Sequence, residues 1–107
     1  MSTQCPVMIY QNVSPAAWTA ILTQANQALQ PLGIGPIAGN AGSQSHEGVT
    51  VTWVYNPTPG QNDCGHLTIT VTVSDFLAFI KSAQEICDQA AQYFNFISGL
   101  IAANPCS

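Results

Sequence analysis

Two seven-residue segments, Val49–Tyr55 (VTVTWVY) and Leu67–Val73 (LTITVTV), alternate strongly between apolar and polar side chains, with Val54 the one apolar residue on the polar face. Alternation of period two over this length belongs to a strand with one buried and one solvated face, and no helix satisfies it. The segment between them, Asn56–His66 (NPTPGQNDCGH), contains two prolines and reads as a long hairpin loop. Pairing Val49 with Val73 and Tyr55 with Leu67 puts Val49, Val51, Trp53 and Tyr55 on one face with Leu67, Ile69, Val71 and Val73. Thr50, Thr52, Thr68, Thr70 and Thr72 then share the other face. Such a hairpin must find cover for its apolar side.

Two amphipathic segments offer that cover. Ser14-Pro15 supplies a helix N-cap followed by proline at the first helical position. Trp18, Ile21, Leu22, Ala25 and Leu29 then fall on one face, and Pro31 and Gly33 end the helix. A second helix is expected from a Ser74-Asp75 cap to Ala103, with a stripe of Phe76, Phe79, Ile80, Ala83, Cys87, Ala90, Phe94, Ile97 and Ile101. At 1.5 Å per residue it would run about 45 Å, twice the roughly 23 Å of a seven-residue strand. It should therefore overhang, bend or meet a partner. Tyr93, Phe96 and Leu100 lie off the main stripe, so the last turns are apolar over most of their circumference.

A short strand is read at Pro6–Gln11, and Gly33–Gly48 (GIGPIAGNAGSQSHEG) as a flexible Gly/Ser-rich loop. The order is β-α-β-β-α in a single α+β domain over residues 1–107. The expected architecture is a small antiparallel sheet with two helices on one face, ferredoxin-like in part.

Charge excludes more functions than it suggests. The chain has one Lys, no Arg and five acidic residues, 6% in all, against about a quarter in an average domain. Nucleic-acid binding draws its affinity from cations on phosphates, and binding to anionic lipid needs a basic face, so neither is expected. No apolar run is long enough to span a membrane. Met1–Pro6 (MSTQCP) has no basic region leading into an apolar run, so no signal peptide is read. Four Cys in a small, low-charge chain favour a secreted or periplasmic location, with a cytoplasmic one as the alternative.

Cys5, Cys64, Cys87 and Cys106 allow three pairings. If the last helix climbs back over the hairpin, Cys87 comes level with the 56–66 loop and Cys64. If the first strand runs parallel to Leu67–Val73, Cys5 enters at that same end. These placements favour Cys64–Cys87 and Cys5–Cys106. Reduced thiols are a second reading. A four-thiolate zinc site is a third, less suited because its ligands usually come as close Cys-x2-4-Cys pairs. No metal and no cofactor are expected.

Asp63-Cys64-Gly65-His66 is the densest cluster of reactive types, a thiolate–imidazole pair or a disulfide cysteine followed by a turn. Ser43-Gln44-Ser45-His46-Glu47 offers a Ser, a His and a carboxylate, but without a nucleophile-elbow sequence. The two histidines flank opposite ends of the hairpin and share no site. No catalytic residue is assigned. The expected function is a non-enzymatic protein-interaction module (an inhibitor, effector or accessory protein). It would self-associate through Tyr93, Phe96, Leu100 and Ile101 of the C-terminal helix, because exposed apolar patches mark protein contacts. One alternative is a carrier for a small apolar ligand between helices and sheet, lined by Trp18, Trp53, Phe76 and Phe79. The other is a thiol or hydrolytic enzyme around Cys64 and His66.

Overall fold

A computed structural model describes residues 2–32, 37–46, 48–58, 60, 63–74 and 82–106. The hairpin forms in the expected register. Strand β4 (Val49–Asn56) pairs antiparallel with β5 (His66–Ser74), Val49 opposite Val73 and Tyr55 opposite Leu67. Leu67, Ile69, Val71 and Val73 are buried with Trp53 and Tyr55, as the alternation requires. The mixed α+β class is the one expected, an antiparallel sheet covered by helices.

Helix α1 (Pro15–Leu29) starts where its capping residues say. The Ser14 hydroxyl accepts from Ala17 N–H at 3.0 Å, and Trp18, Ile21, Ala25 and Leu29 are buried. A short 3-10 turn, Gln30–Leu32, follows. Asn26 on this helix then holds the returning chain. Its amide donates to Ile37 C=O at 3.0 Å and accepts from Ile37 N–H at 2.6 Å.

Three features depart from the sequence reading. First, the N-terminal strand is two pieces, β1 (Ser2–Gln4) and β2 (Met8–Tyr10), both antiparallel to β5. Gln4 faces Thr72 and Met8 faces Ile69, so three residues oppose two across Cys5-Pro6-Val7. This is a one-residue bulge, with proline at a sheet edge where it is tolerated. Second, part of the expected loop is a strand, β3 (Ala41–His46), paired with β4. The sheet order is β1/β2-β5-β4-β3. Gly42 permits this pairing, because a Cβ there would lie 2.7 Å from the Trp53 ring, which folds over it. Of the rest of the loop reading, residues 33–36 and 47 lie outside the described residues, and 37–40 and 48 belong to neither helix nor strand. Third, over its described residues the expected long helix is interrupted at Phe94–Asn95, which separates α2 (Ala83–Tyr93) from α3 (Phe96–Ala103). Ser82 caps α2, accepting from Glu85 N–H at 3.2 Å; the turn that a Ser74-Asp75 cap would open lies outside the described residues. Ser74 closes β5. Asp75 and the stripe residues Phe76, Phe79 and Ile80 lie outside the described residues.

All four cysteines form disulfides, but in the pairing Cys5–Cys87 and Cys64–Cys106, not the one expected. The reason is strand direction. Cys5 N–H donates to Val71 C=O at 2.8 Å, so an antiparallel first strand carries Cys5 along β5, away from the 56–66 loop. Cys87 lies in the second turn of α2, whereas Cys106 follows α3, a climb of about 29 Å over nineteen residues if helical throughout. That matches the length of β5 and brings Cys106, not Cys87, level with Cys64.

Candidate functional site

The Cys64–His66 cluster folds into a clasp. Cys64 is bonded to Cys106, so no thiolate is present for the enzymatic reading. Asp63 instead organises the loop. Its Oδ1 accepts from Asn12 N–H at 2.6 Å and Gly65 N–H at 3.1 Å, and its Oδ2 lies 3.1 Å from His66 Nδ1. Partial desolvation works to raise the Asp63 pKa. The Asn12, His66 and Gly65 hydrogen bonds, with the charge of His66, outweigh it and hold the carboxyl below its ordinary value. Gly65 is required here, since a Cβ would collide with the Val13 carbonyl and crowd the Tyr55 hydroxyl. That hydroxyl donates to Val13 C=O at 2.8 Å. Burial, aided by the charge of Asp63, raises the Tyr55 pKa. The bonds from Asn12 N–H to Asp63, from Val13 N–H to Gly65 C=O and from the Tyr55 hydroxyl to Val13 C=O tie residues 12–13 to the hairpin.

The second cluster is dispersed by the strand it sits on. Ser43 and Ser45 point to one face of β3, Gln44 and His46 to the other. Ser45 Oγ shares a 2.8 Å hydrogen bond with Thr50 Oγ1. His46 and His66 stand at opposite ends of the hairpin, beside Val49 and Asn56. Among the described residues no group of three or more His, Cys, Asp or Glu side chains converges.

The C-terminal stripe is partly used within the chain. Tyr93, Phe96, Leu100 and Ile101 are half-buried against the core, and Tyr93 Oη donates to Ala28 C=O at 2.6 Å. Among the described residues the exposed large apolar side chains lie elsewhere, on the sheet and its edge bulge: Ile9 at 58%, Val54 at 50% and Val7 at 41%. Ile9 and Val54 flank Thr68 on the open face, whose other rows are Thr72–Thr50–Ser45 and Thr70–Thr52–Ser43.

That open face ends at β3, whose outer edge is unpaired among the described residues. Tyr55 N–H donates to Asn40 C=O at 2.6 Å, which sets the alternation of the β3–β4 ladder. Residues 42, 44 and 46 bond to β4, leaving the backbone groups of Ala41, Ser43 and Ser45 turned outward.

On the covered face, the expected pocket residues Trp18 and Trp53 do come together, whereas Phe76 and Phe79 lie outside the described residues. A partly open cavity of about 20 Å³ is lined by Trp18 and Leu22 of α1, Val51, Trp53 and Ile69 of the sheet, and Phe94 and Ile97 at the helix break. Trp53 Nε1 donates to Gly39 C=O at 3.3 Å. Trp18, stacked on Tyr55 at 4.9 Å between ring centroids, has no acceptor for its buried Nε1 among the described residues. An orphaned buried donor costs about 1–3 kcal/mol, and buried indoles usually avoid it. Periodicity placed Trp18 in the core but carries no information on whether its N–H finds a partner. The β3 edge was missed for a different reason, since AGSQSH lacks the β-branched and apolar residues that signal a strand. No known family model, curated protein or solved structure matches the chain.

Proposed function

We propose that the protein is a small non-enzymatic interaction module that works in oxidising surroundings, secreted or periplasmic, and self-associates through the β3 edge. The observation that carries this reading is the contrast between the two sheet edges. The β1/β2 edge is interrupted by Pro6 and a bulge, two devices that close an edge to further pairing. β3 has neither, and its six residues (AGSQSH) include no Lys or Pro. Two copies paired antiparallel about Ser43 set Ala41 against Ser45 of the second copy, with no like charges facing. The bridged cysteines fit an oxidising compartment. No helix among the described residues is long and apolar enough to cross a membrane.

A six-residue edge is small beside the roughly 1,200 Å² of a stable interface, so the association is reversible. The C-terminal helix is the weaker candidate because its apolar side chains already pack within the chain. Sedimentation equilibrium over a concentration series tests the reading. Ser43→Pro removes an outward N–H while leaving the bonds to β4, and is expected to yield a monomer. Phe96→Asp is expected to leave association unchanged. The reverse pattern would return the interface to the C-terminal helix, and a wild-type monomer at every concentration would end both versions.

A further inference from the structure

At the sheet edge opposite β3, α2 and the β1/β2 bulge leave a partly open cavity of about 150 Å³ between them. One wall is Pro6, Val7 and Met8, at the bulge and the start of β2. The other is a single stripe of α2, with Gln84, Cys87, Asp88 and Ala91 spaced i, i+3, i+4 and i+7. The Cys5–Cys87 bridge joins the two walls covalently, and Cys5 N–H ties the bulge to β5 through Val71 C=O at 2.8 Å. The walls are therefore fixed relative to one another before anything binds. We propose that this cavity is a binding site for a small organic cation, an ammonium group carried on a compact apolar body about the size of a benzene ring. Asp88 receives the ammonium, and Val7, Met8 and Ala91 contact the body.

Volume, wall chemistry and charge each narrow the class. A cavity of about 150 Å³ is the size that accepts a benzene ring. Most of the wall is apolar, and Val7 is 41% exposed, so an apolar body would cover surface that otherwise faces water. The polar part of the wall has one sign. Asp88 is the only charged side chain among the described lining residues, and Gln84 Nε2 donates to its Oδ1 at 2.9 Å. That bond orients the carboxylate and leaves Asp88 Oδ2 and Gln84 Oε1 as acceptors for a ligand. An anion would meet the Asp88 charge and is repelled, whereas a cationic N–H donor matches it. The ammonium of a lysine side chain on another protein has the same head group, but its narrow four-carbon stem fills less of the volume than a compact free amine. The inference is independent of the proposed β3 association, because β1/β2 and β3 are opposite edges of the sheet.

The test titrates benzylammonium, its neutral counterpart benzyl alcohol, and Nα-acetyl-lysinamide into the full disulfide-bonded chain, followed by ¹H–¹⁵N spectra after sequential assignment. Benzylammonium is expected to move the amide resonances of Val7, Met8, Asp88 and Ala91 together and saturably. Benzyl alcohol is expected to bind about two- to fivefold more weakly, the range for an ion pair that stays in contact with solvent. Asp88→Asn keeps the shape of the wall and should bring the two probes to equal affinity. Ala91 is exposed on α2, so Ala91→Leu fills the cavity without entering the core and should weaken benzylammonium at least about tenfold, the loss of one buried apolar group. No saturable shift at these four amides up to the solubility of benzylammonium, or binding unchanged in Ala91→Leu, would overturn the site. Equal affinity of the two benzyl probes for the unsubstituted chain would overturn the role of Asp88. Nα-acetyl-lysinamide binding as tightly as benzylammonium would overturn the assignment to a compact free amine.

Discussion

Replacing Ser14 with alanine removes two bonds that serve different levels of the structure. The hydroxyl accepts from Ala17 N–H at 3.0 Å, capping α1, and donates to Asn104 C=O at 2.6 Å, joining the start of α1 to the end of α3 across 90 residues of sequence. Loss of an N-cap costs about 1 kcal/mol. Leaving the half-buried Asn104 carbonyl without its donor adds about 1–2 kcal/mol. For 107 residues the unfolding entropy is about 0.22 kcal/mol/K, so a loss of about 2–3 kcal/mol lowers Tm by roughly 9–13 °C. Ser82 supplies the comparison, because it caps α2 through Glu85 N–H alone and is exposed. Ser82→Ala should therefore fall by only about 4–5 °C, the cap term alone. Thermal unfolding of both variants by circular dichroism, disulfides intact, makes the comparison. A Ser14→Ala loss no larger than that of Ser82→Ala would refute the claim that the bond to Asn104 ties the two helices.

Under graded reductant, Cys64 and Cys106 should be alkylated before Cys5 and Cys87. Cys106 is exposed, whereas Cys5 and Cys87 are 4% and 8% accessible; simultaneous labelling of all four in peptide mass spectra would contradict this. Loss of the Cys5–Cys87 bridge, which spans 82 residues, should be the more damaging, about 4.5 kcal/mol by chain entropy, measured as the denaturation of a Cys5→Ala/Cys87→Ala variant. The lowered Asp63 pKa contributes stability that is present above the unfolded carboxyl value of about 3.9 and disappears as pH falls through the folded value. Asp63→Asn should flatten the stability profile below about pH 5, and an unchanged acid limb would count against the clasp. Gly42→Ala places a Cβ 2.7 Å from the Trp53 ring, with an expected cost of about 1–3 kcal/mol and a displaced Trp53 indole resonance; an unaltered resonance would show that the ring does not rest on β3.

The β4–β5 register and the start and buried face of α1 were legible in the residues because each is dictated locally. Period-two alternation rules out every odd slip, which would turn Trp53, Tyr55, Leu67 and Val71 to solvent, and Ser14-Pro15 specifies a helix start without help from the rest of the chain. The two cysteine bridges follow from long-range placement instead. Reading the first strand as parallel moved Cys5 to the wrong end of β5, and the true partner was fixed only by antiparallel pairing and a one-residue bulge. β3 forms because β4 offers an open ladder and Gly42 lets Trp53 lie across it, neither of which is a property of AGSQSH itself. The core role of Trp18 was written in its helical spacing. That its N–H meets no acceptor among the described residues was decided by how α1, the sheet and the helix break close around it, since hydrogen-bond satisfaction depends on the positions of groups distant in sequence.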